Sequence, residues 1–505
     1  MQVKSLVKST LLLGSTSAAI AVIGIFRVKA LALLIGPAGL GLLGTLSSLA
    51  SCGTTLFAVG ADTSGTRRTA LARNNPVEMA HLRRVLLLIA VIHGTLAISL
   101  FWVFGGTLSQ LAFGTDAYRG EIASLGLVVT LSLVAGLQIA LLQGLGRVAT
   151  IARIGLIASV LSTILGLWTV WQFGFVGIFV LLLAQPAISA ILASWMTPRQ
   201  PNVPTTGLAP HETSAAREWR GLMVEGAPFM VSYVALALMP LAVRTLVIHS
   251  EGLDAAGYFH AAWTMSVIYV GFLLKAMSAD YFPRLSGMIE DKEASTTLIN
   301  DQILVGLAIG GPVLLLMIAG SAWIIPLLFS KAFSPAIEVL EWQAFGHIMK
   351  IAGWPSAFLS MARGRSVQFL VLELSWTLVF VVLVWAGLPW LGLASTGIAF
   401  AIACAAFLAM QIGVAYWSYG FRLRRDAVSF MIAFLAMGSL TLLAAYQSPA
   451  LQAATGGSAA VLLGIAGLRE MLSKTGVEGR LGAFAARLFD RIGWPLAAPA
   501  PATAE

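Results

Sequence analysis

Apolar stretches of about 20 residues recur along almost the whole chain between short polar punctuations, and this pattern decides what the chain can fold into. At 1.5 Å per residue each stretch reaches across a hydrocarbon core of about 30 Å. Inside lipid, backbone N–H and C=O groups must be satisfied within the structure, so stretches this long predict helices. Fourteen are expected, near residues 8–34, 38–61, 84–105, 121–144, 151–171, 174–196, 222–248, 256–281, 303–328, 336–362, 367–388, 391–417, 427–446 and 452–470. The last is short and Gly-rich, which leaves a count of twelve or thirteen open. Lys4 and Lys8 ahead of an apolar run imitate a signal peptide, but Leu11 to Ile35 exceeds such a segment and runs directly into a second span, so a retained first helix is expected.

Composition agrees. Of the 505 residues 58% are hydrophobic and 10% charged, with a mean hydropathy of +0.88; a soluble domain carries about 25% charged residues. A water-soluble globule is excluded. Cys52 and Cys404 lie singly in apolar segments, so neither a disulfide framework nor a thiolate metal site is expected, and no cofactor is called for.

The net charge of +9 divides into two populations. With the N-terminus inside, twenty-four Lys and Arg fall in inside segments and two, Arg119 and Lys331, in outside loops. Basic loops stay on the cytoplasmic side, so both termini are expected there. Five cations remain within spans: Arg27, Lys29, Arg244, Lys275 and Lys350. A cation at mid-bilayer costs roughly 2.5–3.5 kcal/mol on insertion scales, so each must face protein or water. Arg27, Lys29 and Arg244 sit near outer helix ends, where snorkelling is the competing account.

The eighth span carries His260, Thr264, Gly271, Lys275 and Ser278 at intervals that share one helix face, interrupted by Val267, with Ser266 pointing elsewhere. The tenth repeats this with Gln343, His347, Lys350 and Trp354. Two polar stripes suit a water-filled path or a hydrogen-bonded network between helices. Glu373 lies at a depth matching Lys275, which makes the two candidates for an ion pair and for ion coupling or gating. Glu225, Asp280, Glu338 and Glu341 lie near helix ends, where interface solvation is the default. Pro240, Pro312, Pro326 and Pro355 mark places where helices can bend.

Residues 198–221 are rich in Pro, Thr and charge and read as a flexible cytoplasmic linker. The halves on either side echo each other: Arg27 precedes Gly41 by 14 residues and Arg244 precedes Gly257 by 13, each across a Gly-containing turn. Duplication of a multi-helix unit would produce this, and transporters with internal repeats hold substrate at the repeat interface. The expected organisation is an N-lobe over 1–197, a C-lobe over 222–420, two additional helices over 421–472 and a tail over 473–505. In the tail, Leu481, Phe484, Leu488 and Ile492 oppose Arg480, Arg487 and Arg491, which fits an amphipathic helix on the inner leaflet or a disordered segment.

Several chemistries lack their motifs. There is no Gly-x-x-x-x-Gly-Lys-Ser/Thr, H-E-x-x-H or C-x-x-C. The longest expected outside loop, around Gly106–Gly120, offers only Asp116 and Arg119, too little for a membrane enzyme acting on lipid-linked sugars. An enzyme is not expected.

Three collinear patches carry a resemblance. Phe26-Arg-Val-Lys-Ala-Leu-Ala-Leu-Leu-Ile-Gly-Pro-Ala-Gly-Leu-Gly-Leu-Leu-Gly44, Met277-Ser-Ala-Asp-Tyr-Phe-Pro-Arg-Leu-Ser286 and Phe333-Ser-Pro-Ala-Ile-Glu-Val-Leu-Glu-Trp-Gln-Ala-Phe-Gly346 resemble segments of the Wzx-type polysaccharide flippases, over residues 1–365. The resemblance implies the multidrug/oligosaccharidyl-lipid/polysaccharide superfamily: an all-α polytopic protein with two six-helix lobes, pseudo-two-fold symmetry and a central cavity. The last two helices depart from the family's usual twelve. It also implies a substrate, an undecaprenyl-diphosphate-linked oligosaccharide moved from the cytoplasmic to the periplasmic leaflet of the bacterial inner membrane. Arg27, where relatives place a cavity-lining basic residue, is implied as a diphosphate contact.

On this basis Arg27, Lys29, Arg244, Lys275 and Lys350 are expected to line an electropositive substrate path, with His260, Gln343, His347 and Trp354 meeting sugars. Membrane lipids and, within the same pathway, a polysaccharide polymerase and glycosyltransferases are the expected partners; nucleic acid is not. A cation-coupled multidrug exporter of the same superfamily and a scaffold for glycosyltransferases are the alternatives.

Overall fold

A computed structural model describes residues 2–197, 215–475, 487 and 489–491. Among these residues the chain is helical without strands, in fourteen α-helices: α1 (Gln2–Ala58), α2 (Ala61–Leu71), α3 (Pro76–Phe113), α4 (Arg119–Gly144), α5 (Val148–Phe173), α6 (Gly177–Met196), α7 (Ala215–Glu251), α8 (Leu253–Gly287), α9 (Lys292–Leu328), α10 (Ala336–Ala362), α11 (Ser366–Leu391), α12 (Ala394–Tyr419), α13 (Arg425–Ala445) and α14 (Pro449–Thr475). Every expected span has its helix. Those expected at 8–34 and 38–61 meet without a loop inside α1, at Gly36 with φ 61° and ψ −166°. Gly36 adopts this left-handed φ because it has no Cβ, and Pro37 disfavours helical backbone in the residue before it.

The differences from expectation lie at the helix ends. A short polar helix, α2, occupies part of the first loop expected inside; Asp62 sits in its first turn and Arg68 in its last, where each complements the helix dipole. The loop expected around Gly106–Gly120 is mostly helix, because α3 continues to Phe113 and ends on Gly114 in the left-handed region (φ 71°). At its start, α3 is capped by Asn75, whose side chain accepts from the N–H groups of Val77 and Glu78, with Pro76 in the first turn. The segment expected as linker is helical from Ala215 onward; residues 198–214 lie outside the described residues, as does most of the expected tail helix.

Among the described residues eleven helical stretches are long and apolar enough to cross a membrane, and two of these, Ala19–Ala58 and Val148–Met196, each cover two of the expected spans. α10, which carries Glu338, Glu341, Gln343, His347 and Lys350, is not among them. The protein is a multi-pass membrane protein.

The chain forms two compact units, one of residues 1–260 with 328–332 and the other of 261–327 with 333–505. In the first, α3 packs on α4, α5 on α6, and α1 against α5 and α7. One buried cluster brings together Ala61, Leu82, Leu86, Leu137, Leu141 and Leu222 from α2, α3, α4 and α7. Arg68 of α2 adds an ionic clasp to α7, reaching Glu225 at 2.7 Å and Glu218 at 2.5 Å. The hydrogen bond from Arg68 holds the Glu225 carboxyl below its usual range, and Glu225 in turn raises Arg68. In the second unit α10 and α11 pack on α12, and α13 on α14. Here Arg424, ahead of α13, pairs with Asp426 and Asp301, both at 2.7 Å, and these carboxylates push its pKa up.

Candidate functional site

In the first unit, α7 and α8 are joined at Gly252, whose φ of 87° turns the chain between them. Arg244 and His260 each lie eight residues from Gly252, and this equal spacing sets them side by side across the helix pair. The Arg244 guanidinium is 4% exposed. One terminal nitrogen donates to Ser48 Oγ on α1, the other lies 3.0 Å from His260 Nδ1, and the group sits 5.7 Å from the centre of the Phe259 ring. Its Nε is buried with no hydrogen-bond partner. Among the described residues no carboxylate pairs with Arg244. A buried guanidinium normally demands an anion, and here only neutral groups hold it.

Gly44 makes room for this pair. A Cβ there would stand 2.7 Å from His260 Nδ1 and 3.1 Å from Arg244 Nε. One turn earlier, a Cβ on Gly41 would collide with the Leu253 carbonyl, and one on Gly257 with the Pro37 carbonyl. The two glycines of the sequence echo therefore each press against the other's turn.

Arg27 and Lys29 also find neutral partners. Arg27 donates to Gln185 Oε1 on α6 at 3.1 Å, and Lys29 Nζ donates to the Phe329 carbonyl at 2.8 Å.

The second unit gathers the other stripe. Gln343 is fully buried, its Oε1 accepting from Ser266 Oγ at 2.9 Å while its Nε2 has no partner. Ser266, off the polar stripe of α8, thus faces α10: the 3.6-residue period fixes its angle on α8 but not which side of α8 meets α10. His347 is buried, packs 4.9 Å from the Phe400 ring, and has hydrogen-bond partners on neither ring nitrogen. Lys350 Nζ lies 3.9 Å above the centre of the Trp376 ring, a cation–π contact. The Trp376 indole N–H donates to Glu373 Oε2 at 2.8 Å. Trp354 packs against Phe358 and Tyr281.

Two expectations are corrected here. Among the described residues no ion pair joins Lys275 to Glu373: the carboxylate turns one helical turn along α11 to Trp376, and the Lys275 side chain is exposed. Glu341, expected in interfacial water, is 6% exposed and accepts from Ser321 at 2.5 Å and from Gln452 at 2.6 Å, which ties α10 to α9 and α14. Depth along a helix does not report which neighbour covers its end.

Sequence reasoning passed over Ser48, Gln185, Trp376 and Gln452. Gln452 carried one signal, a lone amide in an otherwise apolar and small-residue segment; the other three are ordinary in their local context.

Among known proteins, the family model described as polysaccharide biosynthesis protein matches residues 30–338. The chain belongs to this family. Similar curated proteins include the lipid III flippases of Escherichia coli (strain K12) and Shigella flexneri, each 24% identical over 371 residues, 72% of this chain and 86% of theirs. Of solved structures, the lipid II flippase MurJ in an inward closed conformation is matched with a TM-score of 0.70 at 13% identity, over 92% of this chain and all of that one. An inward-facing multidrug resistance MATE transporter of the MOP superfamily is matched with a TM-score of 0.59 at 15% identity, over 81% of this chain and 94% of that one. The fold of this family member is that of the MOP superfamily, as the resemblance implied.

Proposed function

We propose that this protein is a flippase that moves an undecaprenyl-diphosphate-linked oligosaccharide, an O-antigen or exopolysaccharide repeat unit, from the cytoplasmic to the periplasmic leaflet of the bacterial inner membrane by alternating access. The observation that carries this is Arg244, a buried guanidinium surrounded by neutral groups. A diphosphate brings about two negative charges and oxygen acceptors that suit a planar guanidinium. Arg27, likewise held by a neutral amide, is a second phosphate contact, with Lys29 close by in sequence. In the second unit Lys350 supplies a cation on an aromatic face, while Gln343, His347 and Trp354 offer amide, imidazole and indole groups suited to sugars. Lys275 and Glu373 are the coupling candidates, acting separately. The lobes lie at 1–197 and 222–420, both termini face the cytoplasm, and the polymerase and glycosyltransferases of the same pathway are the protein partners.

The names of the relatives support this reading, since lipid III and lipid II flippases carry lipid-linked precursors. The fold alone does not choose between a flippase and a drug exporter, because MATE transporters share it. Charge supports the flippase: a cationic drug would meet the buried guanidinium of Arg244 here. Outward movement of two negative charges from a negative interior gains roughly 4–5 kcal/mol per 100 mV if both cross the whole field, enough to drive transport without ATP.

The test is reconstitution into liposomes with a fluorescent undecaprenyl-diphosphate-linked sugar, read by chemical quenching of the outer leaflet. The expected result is protein-dependent equilibration, accelerated by an imposed potential. A rate equal to that of protein-free liposomes, with the protein folded and inserted, would refute the proposal.

A further inference from the structure

In the second unit α9 starts beside the end of α12, and a groove of ≈ 680 Å³ opens between them. Lys292, Glu293, Thr296 and Thr297, from the first two turns of α9, line one wall; Tyr416 and Trp417 at the end of α12 and Arg422 just beyond it line the other. Asn300 pins the two walls together, donating to the Arg422 carbonyl at 3.0 Å and accepting from the Arg424 N–H at 2.8 Å. Gly420 ends α12 with φ 66°, and because it has no side chain the Lys292 ammonium lies against it, where a Cβ would collide. The cation of α9 is thereby carried across to the segment that holds Arg422.

Among the described residues Lys292, Glu293 and Arg422 form no ion pair, although Arg424, two residues beyond Arg422, is matched by Asp301 and Asp426. The Thr296 and Thr297 hydroxyls likewise make no hydrogen bond among the described residues. The start of α9 itself is already capped, since Asp291 accepts from the N–H groups of Glu293 and Ala294, both at 2.9 Å. What calls for a ligand is therefore the set of side chains and not the helix end. The groove lies where two stretches apolar enough to cross a membrane, Lys292–Leu328 and Ala394–Tyr419, share an end. Trp417 is 85% exposed there and Tyr416 47%, as at the headgroup level of a bilayer, where amphipathic rings gather.

Two cations suit a phosphate. Glu293 does not, and would repel a headgroup that carries only negative charge. A carboxylate, two hydroxyls and a pair of aromatic rings suit a primary ammonium instead, which has three N–H donors and is attracted to ring faces. We propose that this groove binds the headgroup of a phosphatidylethanolamine, its phosphate at Lys292 and Arg422, its ammonium at Glu293 and the two threonines, and its acyl chains in the surrounding bilayer. A choline headgroup has no N–H to give and leaves those acceptors without a donor. The volume falls within the roughly 300–1,000 Å³ of small-ligand sites. The site belongs to the second unit alone and does not depend on which substrate Arg244 serves.

The experiment is native mass spectrometry and competition binding on the purified full chain in neutral detergent, with dioctanoyl phosphatidylethanolamine as probe. Dioctanoyl phosphatidylcholine, dioctanoyl phosphatidylglycerol and water-soluble glycerophosphoethanolamine serve as competitors. Phosphatidylethanolamine should bind roughly tenfold tighter than phosphatidylcholine, the worth of one charge-assisted hydrogen bond. Glu293→Gln should abolish that preference and leave phosphatidylglycerol bound at least as well as before. Lys292→Gln with Arg422→Gln should weaken both phosphatidylethanolamine and phosphatidylglycerol, whereas Arg425→Gln, a charge removed outside the groove, should change neither. The proposal is overturned if phosphatidylcholine or phosphatidylglycerol binds as tightly as phosphatidylethanolamine, if the preference survives Glu293→Gln, or if Arg425→Gln weakens binding as much as the double variant. It is also overturned if glycerophosphoethanolamine competes as strongly as the lipid, since the occupant would then be a solute. Melting temperatures of all variants separate loss of the site from loss of the fold.

Discussion

Replacing Arg244 by methionine keeps a flexible apolar stem and removes the charge. A guanidinium has five N–H donors; Ser48 and His260 engage two, and Nε has no partner, so donors remain for a phosphate. One charge-assisted hydrogen bond to phosphate is worth about 1.5–3 kcal/mol. Its loss should weaken binding of a polyprenyl-diphosphate sugar by roughly 10–150-fold. The substitution also strips Ser48 Oγ and His260 Nδ1 of a partner, at about 1–3 kcal/mol for each group left unsatisfied, so protein levels and melting temperature must be measured alongside. Arg244→Lys keeps the charge but cannot span both partners with a planar fork, and should recover only part of the affinity. The assays are titration of the purified protein with a soluble polyprenyl-diphosphate analogue and the liposome transport rate. If Arg244→Met binds and transports as the wild type does, at equal membrane levels, the buried guanidinium is structural and its neutral surroundings carry no functional meaning.

Three further outcomes follow from the packing. Gln452→Leu removes one of the donors, with Ser321, to the buried Glu341 carboxylate and should destabilise the protein by about 1–3 kcal/mol, read as a lower melting temperature that Glu341→Gln with Gln452→Leu partly restores. Gly257→Ala drives a Cβ into the Pro37 carbonyl and should reduce the folded yield, whereas Gly271→Ala, on the same helix with nothing within 4 Å of the added carbon, should not. Glu225 is ionised below the ordinary carboxylate pKa because of Arg68, so its stabilisation of the α2–α7 clasp is present above the unfolded value of about 4.5 and is lost as pH falls through the lowered folded value. The protection factors of residues 61–71, exchange rates divided into the intrinsic rate at each pH, should therefore fall on acidification below that value, and Arg68→Met should lower them already at pH 7, with an unchanged profile counting against the clasp.

The membrane class, the helix count and the two populations of cations were legible in the sequence by itself, because burial in lipid is a property of each segment and hydropathy is read one residue at a time. The proximity of Arg244 to His260 was nearly legible too: both stand eight residues from the Gly252 turn, and a short turn between helices brings equal distances together. What only the tertiary structure decided is which faces meet. Helical period groups Gln343, His347 and Lys350 on one side of α10, but it cannot say that Ser266 supplies the partner of Gln343 or that Trp376 lies under Lys350. Matched depth suggested Lys275 with Glu373, yet pairing also needs the two side chains to be rotated toward each other, and Glu373 turns to Trp376 instead. Glu341 looked interfacial from its position near a helix end and is buried because Ser321 and Gln452 cover it. Each of these depends on rotations and neighbours set by close packing between distant segments, which no local pattern in the chain encodes.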